Sequence, residues 1–305
     1  MTLPAEPLVT TAELEQIHAR ATALAFSARH PATQPYPGPR PSLYRGQGLE
    51  LHDLRSYQHG DDVRHIAWRA SARGGPPLVK IFHAEQRQRR FLMVDHHAGM
   101  AFGTGLSLKA ATAVRCVAAL AFMAISQHDD IGGLIVRDSE HAYPYASSVD
   151  HVLAMLRQAN RLPPQRHWPR PPLAAALQRV RHLAGTRTTV YFISDFHDWD
   201  ERLAGPLAAL GEYRELHALQ IIDAGEQQLP ATGRLRLISP FNGQRYVIDS
   251  DDADLRRRYR EHMLQRQEKL QDLLRRQGVR HYRIDTHDDV FEALGDYVGA
   301  AFLPR

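Results

Sequence analysis

Two apolar runs end on groups able to do chemistry. Phe91 to Val94 runs into Asp95-His96-His97, and Val190 to Ser194 runs into Asp195, with His197 and Asp198 just behind it. Carboxylates and imidazoles at a strand edge are the donors of metal-assisted hydrolysis. They also form hydrogen-bonded His–Asp pairs that need no metal and respond to protonation. Two further runs end on Asp223 and Asp285. In an open α/β sheet the ligand site lies outside the strand C-termini, so these four carboxylates can gather on one edge. Asp is also common where a strand gives way to a turn or helix cap. The cap reading is preferred for Asp223 and Asp285, and both readings stand for Asp95 and Asp195.

A second concentration of polar groups lies between Gly46 and Arg73, reading GQGLELHDLRSYQHGDDVRHIAWRASAR. Gly60-Asp61-Asp62 is a turn in which Asp side chains bond the following amides, with Val63, Ile66 and Trp68 directed inward. Arg55 belongs to the same block. Arg64, Arg69 and Arg73 pair with Asp53, Asp61, Asp62 or Glu85 and lock the segment in place. The alternative turns these arginines outward to an acidic partner or a phosphate.

The elements that must position these groups follow from periodicity. Residues 11 to 29 form a helix with Leu14, Ile17, Ala21 and Leu24 on one side, and five prolines between Pro31 and Pro41 make an extended connector. A β-rich stretch ends in the strand Leu78 to Phe82. From Phe91 the pattern alternates: strands at 91–95, 131–137, 141–146, 188–195, 215–223 and 279–285, helices at 107–127, 148–159, 173–184, 200–213, 251–277 and 289–302, and a hairpin across Asn242-Gly243. Such βα alternation predicts an α/β fold with a doubly wound, mainly parallel sheet. Helix 251–277 carries a thin stripe of Leu255, Tyr259, Met263, Leu270 and Leu274 to lay on the sheet. The expected division is 1–40 (helix and connector), 41–90 (β-rich segment) and 91–305 (α/β domain).

Composition narrows the function classes. With 305 residues, 43% apolar and 24% charged, the chain is an ordinary globular one. Its net charge of +4 comes from 38 basic residues dispersed among 34 acidic ones, which argues against nucleic-acid binding. Only Lys80, Lys109 and Lys269 are lysines; the remaining basic residues are Arg, which suits bidentate pairing with carboxylates. One cysteine, Cys116, excludes an internal disulfide and a multi-cysteine zinc site. The longest apolar run, Cys116 to Ile125, falls short of a bilayer span, and the expected location is cytoplasmic. No phosphate loop and no nucleophile elbow is present.

The block GLELHDLRSYQHGDDVRHIAWRASAR, then VKIFHAEQ, then MVDHHAGMAFG and LK, resembles the bacterial family known as domain of unknown function 58. The resemblance covers roughly residues 40 to 300, and GDDVRxIxWRxSAR is its most specific piece. It implies a von Willebrand factor A-like domain without enzymatic activity. It also implies a MoxR-type AAA+ ATPase as partner, the pair acting on a client protein in chaperone-like assembly or maturation. Many relatives carry membrane helices ahead of this domain, and none is expected here.

In the metal-ion-dependent adhesion site of such domains, Asp-x-Ser-x-Ser, a Thr from a second loop and an Asp from a third surround Mg²⁺, an ion that favours compact oxygen donors. Here the motif reads Asp95, His97, Gly99, so the carboxylate remains and both serines are gone. The Thr loop falls at Arg170-Pro171-Pro172-Leu173 without a hydroxyl, and Asp195 matches the third loop. The expectation is a degenerate site of Asp95, His97, Gly99 and Asp195, with no cofactor. The alternatives are Mg²⁺ on Asp95 and Asp195, or zinc or manganese held by Asp95 and His97 with His96 or His197. The enzymatic alternative is a metal-dependent phosphohydrolase built from Asp95, His96, His97, Asp195, His197 and Asp198.

Overall fold

The computed structural model describes residues 7–29, 50–58, 63, 66–72, 76–83, 87–105, 107–162, 172–212, 214–239 and 243–295. The chain divides into two compact units, Met1–Pro31 with Gln88–Arg305, and Ala32–Arg87. Helix α1 (Thr11–Arg29) therefore belongs to the large unit, and the division differs from the expected boundaries at 40 and 90. The reason is packing: Val9, Ile17 and Ala21 join a core shared with the sheet and Leu14 packs partly against it, whereas Leu24, read into the same stripe, is 39% exposed.

In the small unit, strand β1 (Glu50–Ser56), helix α2 (Trp68–Ser71) and strand β2 (Leu78–His83) come together. The two strands pair antiparallel with a register shift between Leu51 and Asp53. The Ser71 hydroxyl donates to the Ala67 carbonyl at 3.0 Å and accepts from the Leu78 amide at 2.9 Å, tying α2 to β2. Ile66 is buried as expected. Val63 and Trp68 are not: they are 58% and 67% exposed, because this unit has too few apolar residues to cover them.

The large unit continues with β3 (Arg89–Asp95), α3 (Lys109–Ser126), β4 (Asp130–Val136), β5 (Glu140–Ala146), α4 (Val149–Ala159), α5 (Leu173–Ala184), β6 (Thr188–Ser194), α6 (Ala204–Gly211) and β7 (Arg214–Ile222). The short α7 (Ala224–Gln227), the hairpin β8 (Arg234–Ile238) and β9 (Arg245–Asp249), the long α8 (Ala253–Arg276), β10 (Arg280–Asp285) and α9 (Val290–Ala293) follow. The sheet order is β10-β7-β6-β3-β4-β5, parallel except for β5, which pairs antiparallel with β4. The fold is thus α/β, a mixed sheet of mainly parallel strands flanked by helices. The sequence-read elements match within a few residues. Helix α9 ends at Ala293 with Leu294 as its C-cap, and residues 296–302 of that expected helix, like Asn242 of the hairpin turn, lie outside the described residues.

Alternate residues of β3 enter opposite cores. Leu92 and Val94 face α1, α3, α4 and α9, while Phe91 and Met93 face α5, α6 and the end of α8. Helix α3 is apolar and long enough to cross a bilayer, contrary to the reading of its apolar run, yet 89% of it is buried against the sheet and neighbouring helices. Its alanines, among them Ala113, Ala118 and Ala121, let those helices approach closely. Cys116 is packed here, and burial pushes its thiol up to about 12. On α8 only Leu270, Leu273 and Leu274 are buried, so its N-terminal half departs from the expected stripe.

The chain runs outward from β3 to β4 and β5, then crosses back to β6 on the other side of β3. The strand order reverses between β3 and β6, and their C-terminal ends flank the crevice where open α/β sheets hold ligands. Asp95 ends one strand and Asp195 follows the other.

Candidate functional site

The turn after β6 aims Asp195 into this crevice. Ser194 accepts from the Phe196 amide at 3.1 Å and donates from its hydroxyl to Asp95 Oδ2 at 3.1 Å. Phe196 has φ of 57°, a left-handed conformation costly for a bulky residue. Its ring is held 4.6 Å from Trp199, and this packing over-determines the strained turn. The Asp195 carboxylate is 7% exposed and fully engaged. Oδ1 accepts from His97 Nε2 at 2.9 Å and from the His197 amide at 2.8 Å, and Oδ2 accepts from Lys109 Nζ at 2.7 Å.

His97 Nδ1 accepts from the Gly99 amide at 3.0 Å, which places its proton on Nε2, facing Asp195. The ring also explains Gly99: a Cβ there would stand 2.6 Å from His97 Cε1. The two departures from the serine motif are therefore one change. An imidazole at 97 lies over residue 99 and leaves no room for a side chain.

Lys109, absent from the sequence-read site, is its centre. It opens α3, is 1% exposed, and its ammonium donates to Asp195 and, at 2.6 Å, to Glu226 Oε1. Burial alone would lower the Lys109 ammonium, but Asp195 and Glu226 outweigh it and hold it above its ordinary value. Burial alone would likewise raise Asp195, yet His97 and Lys109 hold its carboxyl well below the usual range. Glu226 moves the other way, raised by burial more than Lys109 lowers it. The two acids share one cation unequally. The stronger ion pair is Lys109 with Asp195, because Glu226 keeps 31% of its side chain in solvent.

These donors do not fit a divalent cation. Both Asp195 oxygens are spent, Asp95 is turned to Ser194, and an ammonium already supplies the positive charge that a metal would. Among the described residues no three His, Cys, Asp or Glu side chains converge as metal ligands. The structure places His97 against both Gly99 and Asp195, and Asp95 on the Ser194 hydroxyl. His197 is exposed and loosely placed at 4.0 Å from Asp198. Pro172 precedes α5 without offering a side-chain bond, while Arg170 and Pro171 lie outside the described residues.

Asp223 does cap α7, accepting from the Gly225 amide at 2.9 Å, but it does more. It accepts from the Thr104 hydroxyl at 2.5 Å and the Thr286 hydroxyl at 2.8 Å, tying the loops after β3, β7 and β10 together. Asp285 binds its own turn through the His287 amide at 3.1 Å. Of the Gly46–Arg73 residues, Asp61, Asp62, Arg64 and Arg73 lie outside the described residues, Arg55 and Arg69 are described by backbone alone, and Trp68 is exposed. The signal for Lys109 was present: a lone lysine opening a helix, where the backbone dipole disfavours a cation. No sequence signal marked Glu226 or Ser194.

Comparison with known proteins gives the same lineage. Uncharacterized proteins of Mycobacterium bovis and Mycobacterium tuberculosis are 30% identical over 205 residues, 66% of this chain and 63% of theirs. The match thus spans less than two thirds of those relatives. Among solved structures, an aerotolerance-related membrane protein from Bacteroides fragilis aligns at 11% identity and a TM-score of 0.47, over 68% of this chain and 96% of that one. An uncharacterized membrane spanning protein from Vibrio fischeri aligns at 13% identity and a TM-score of 0.24, over 70% of this chain and 98% of that one. Both neighbours are named membrane proteins, and the expected cytoplasmic location is not retained; at TM-scores under 0.5 these names do not place this chain in a membrane. The profile of the family described as protein of unknown function DUF58 matches residues 53–269, and the chain belongs to that family.

Proposed function

We propose that this chain is a non-enzymatic, von Willebrand factor A-like interaction protein that works with a MoxR-type AAA+ ATPase on a client protein. The observation that carries the non-catalytic, metal-independent part is the buried Lys109 ammonium, held 2.7 Å from Asp195. It neutralises the ligand edge from within and leaves no donor set for metal-assisted hydrolysis, so nothing favours the phosphohydrolase reading. The A-like assignment draws support from the reversal of strand order between β3 and β6 and from the antiparallel edge strand β5. The ATPase partnership rests on the resemblance of the Gly60–Arg73 block and its neighbours.

The test is a pull-down from the native lysate with the purified full chain as bait, with and without EDTA, read by mass spectrometry. A MoxR-type ATPase retained equally in both supports the reading. Capture lost in EDTA overturns metal independence, and the absence of such an ATPase overturns the partnership.

A further inference from the structure

Beside Asp195 the sheet edge opens into a cavity of about 650 Å³, walled by the end of β7, by Arg283 of β10 and by the middle turns of α8, Tyr259 to Leu270. That is within the range of roughly 300–1,000 Å³ typical of binding pockets. Every acid in its wall is already committed: Asp195 and Glu226 to Lys109, Asp223 to Thr104 and Thr286. Gln220 and Gln267 satisfy each other at 3.0 and 3.1 Å.

The cations are not committed. Arg260, Arg266 and Arg283 line the cavity and make no hydrogen bond or ion pair among the described residues. Their neighbours outside it do: Arg257 pairs with Asp254 at 2.9 Å, Arg275 with Asp272 at 3.0 Å, Arg280 with Glu215 at 2.5 Å, and Arg276 with Glu201. Arg258 is also without a partner, but it lies on the exposed face of α8 and does not line the cavity. Met263 and Leu264 add apolar wall, and Leu264 is 58% exposed.

We propose that this cavity binds an acidic peptide segment, its carboxylates paired with Arg260, Arg266 and Arg283 and an apolar side chain lodged against Met263 and Leu264. Planar guanidinium groups suit bidentate carboxylate recognition, and the volume exceeds what a single small anion fills. This goes beyond the ATPase partnership and does not need it; peptide binding can fail with ATPase capture intact, and the reverse.

The test is fluorescence anisotropy of a labelled peptide of alternating Glu and Leu, and of its Gln and Leu counterpart, with the full chain. The Glu peptide is expected to bind at least ~10-fold more tightly, to weaken with salt, and to lose about 10-fold in each of R266Q and R283Q. R275Q, on α8 outside the cavity, is the control and should bind as wild type. Because the three arginines make no internal bond, the variants should melt with wild type, and R266K, which keeps the charge without the fork, replaces any that does not. Equal binding of the two peptides, no binding, or an equal loss in R275Q overturns the proposal. So does displacement by inorganic phosphate beyond that by chloride of equal ionic strength, which would make this a phosphate site.

Discussion

Lys109 is the first residue of α3, where aligned peptide dipoles oppose a positive charge, and it is nearly inaccessible to water. Among the described residues these costs are offset chiefly by Asp195 and Glu226, with the Phe102 ring 5.8 Å from the ammonium. Removing one partner of a buried ion pair strands the other, so Lys109→Met is expected to lose about 3–5 kcal/mol in urea denaturation. In Lys109→Ala the two acids face an emptied site, and millimolar Mg²⁺ should raise the melting temperature of this variant and leave wild type unmoved. A thermal shift in wild type would show that the donors accept a metal after all. Gly99→Ser places a Cβ against the His97 ring and is expected to cost about 1–3 kcal/mol. In a His97→Ser background the same change should cost close to nothing, since the obstructing ring is gone. Additive losses would contradict the coupling of the two positions.

Helix α8 shows how one element serves two purposes. Its C-terminal turns are sheet-bound through Leu270, Leu273 and Leu274, whereas its middle turns wall the cavity with Leu264 in solvent. Leu273→Ala is therefore expected to cost about 2–5 kcal/mol, and Leu264→Ala less than about 0.5 kcal/mol, in the same denaturation assay. Similar losses at both would mean that the middle turns are packed too. The Asp252 cap, accepting from Asp254 and Leu255 at 2.8 and 3.2 Å, begins a helix that so few core contacts would not start.

Across the whole molecule, buried histidines set the response to acid. Burial foremost lowers His96 and His217 to about 3 and His281 to about 4. The unfolded chain takes up these protons below about 6.5 while the folded chain does not. Stability is therefore complete above about pH 6.5 and falls as pH drops toward the folded values, by roughly 1.4 kcal/mol per pH unit for each fully buried histidine. Asp195, held low, adds a further loss once pH falls below the ordinary carboxylate range, while Glu226, held high, opposes it slightly. Melting temperatures between about pH 7 and 4.5 should fall steadily, and His217→Phe, which keeps a ring stacked between Tyr191 and Tyr282, should flatten the slope. A flat wild-type profile would contradict this account.

The strand FLMVD and the helix at 173–184 were readable because each carries its signal within a few residues: a run buried on both faces, and a stripe of period 3.6. The βα alternation placed Asp95 and Asp195 on one edge through the handedness of crossovers alone. The absence of serine at 97 and 99 was equally visible. The cation that faces Asp195 was not, because Lys109 meets Asp195 and Glu226 across 86 and 117 residues of chain. The elements, their order and the family follow from local periodicity and motif and can be read along the chain. Which charges neutralise one another is set by folding, because buried electrostatics depends on distances of a few ångströms between groups that no local pattern connects.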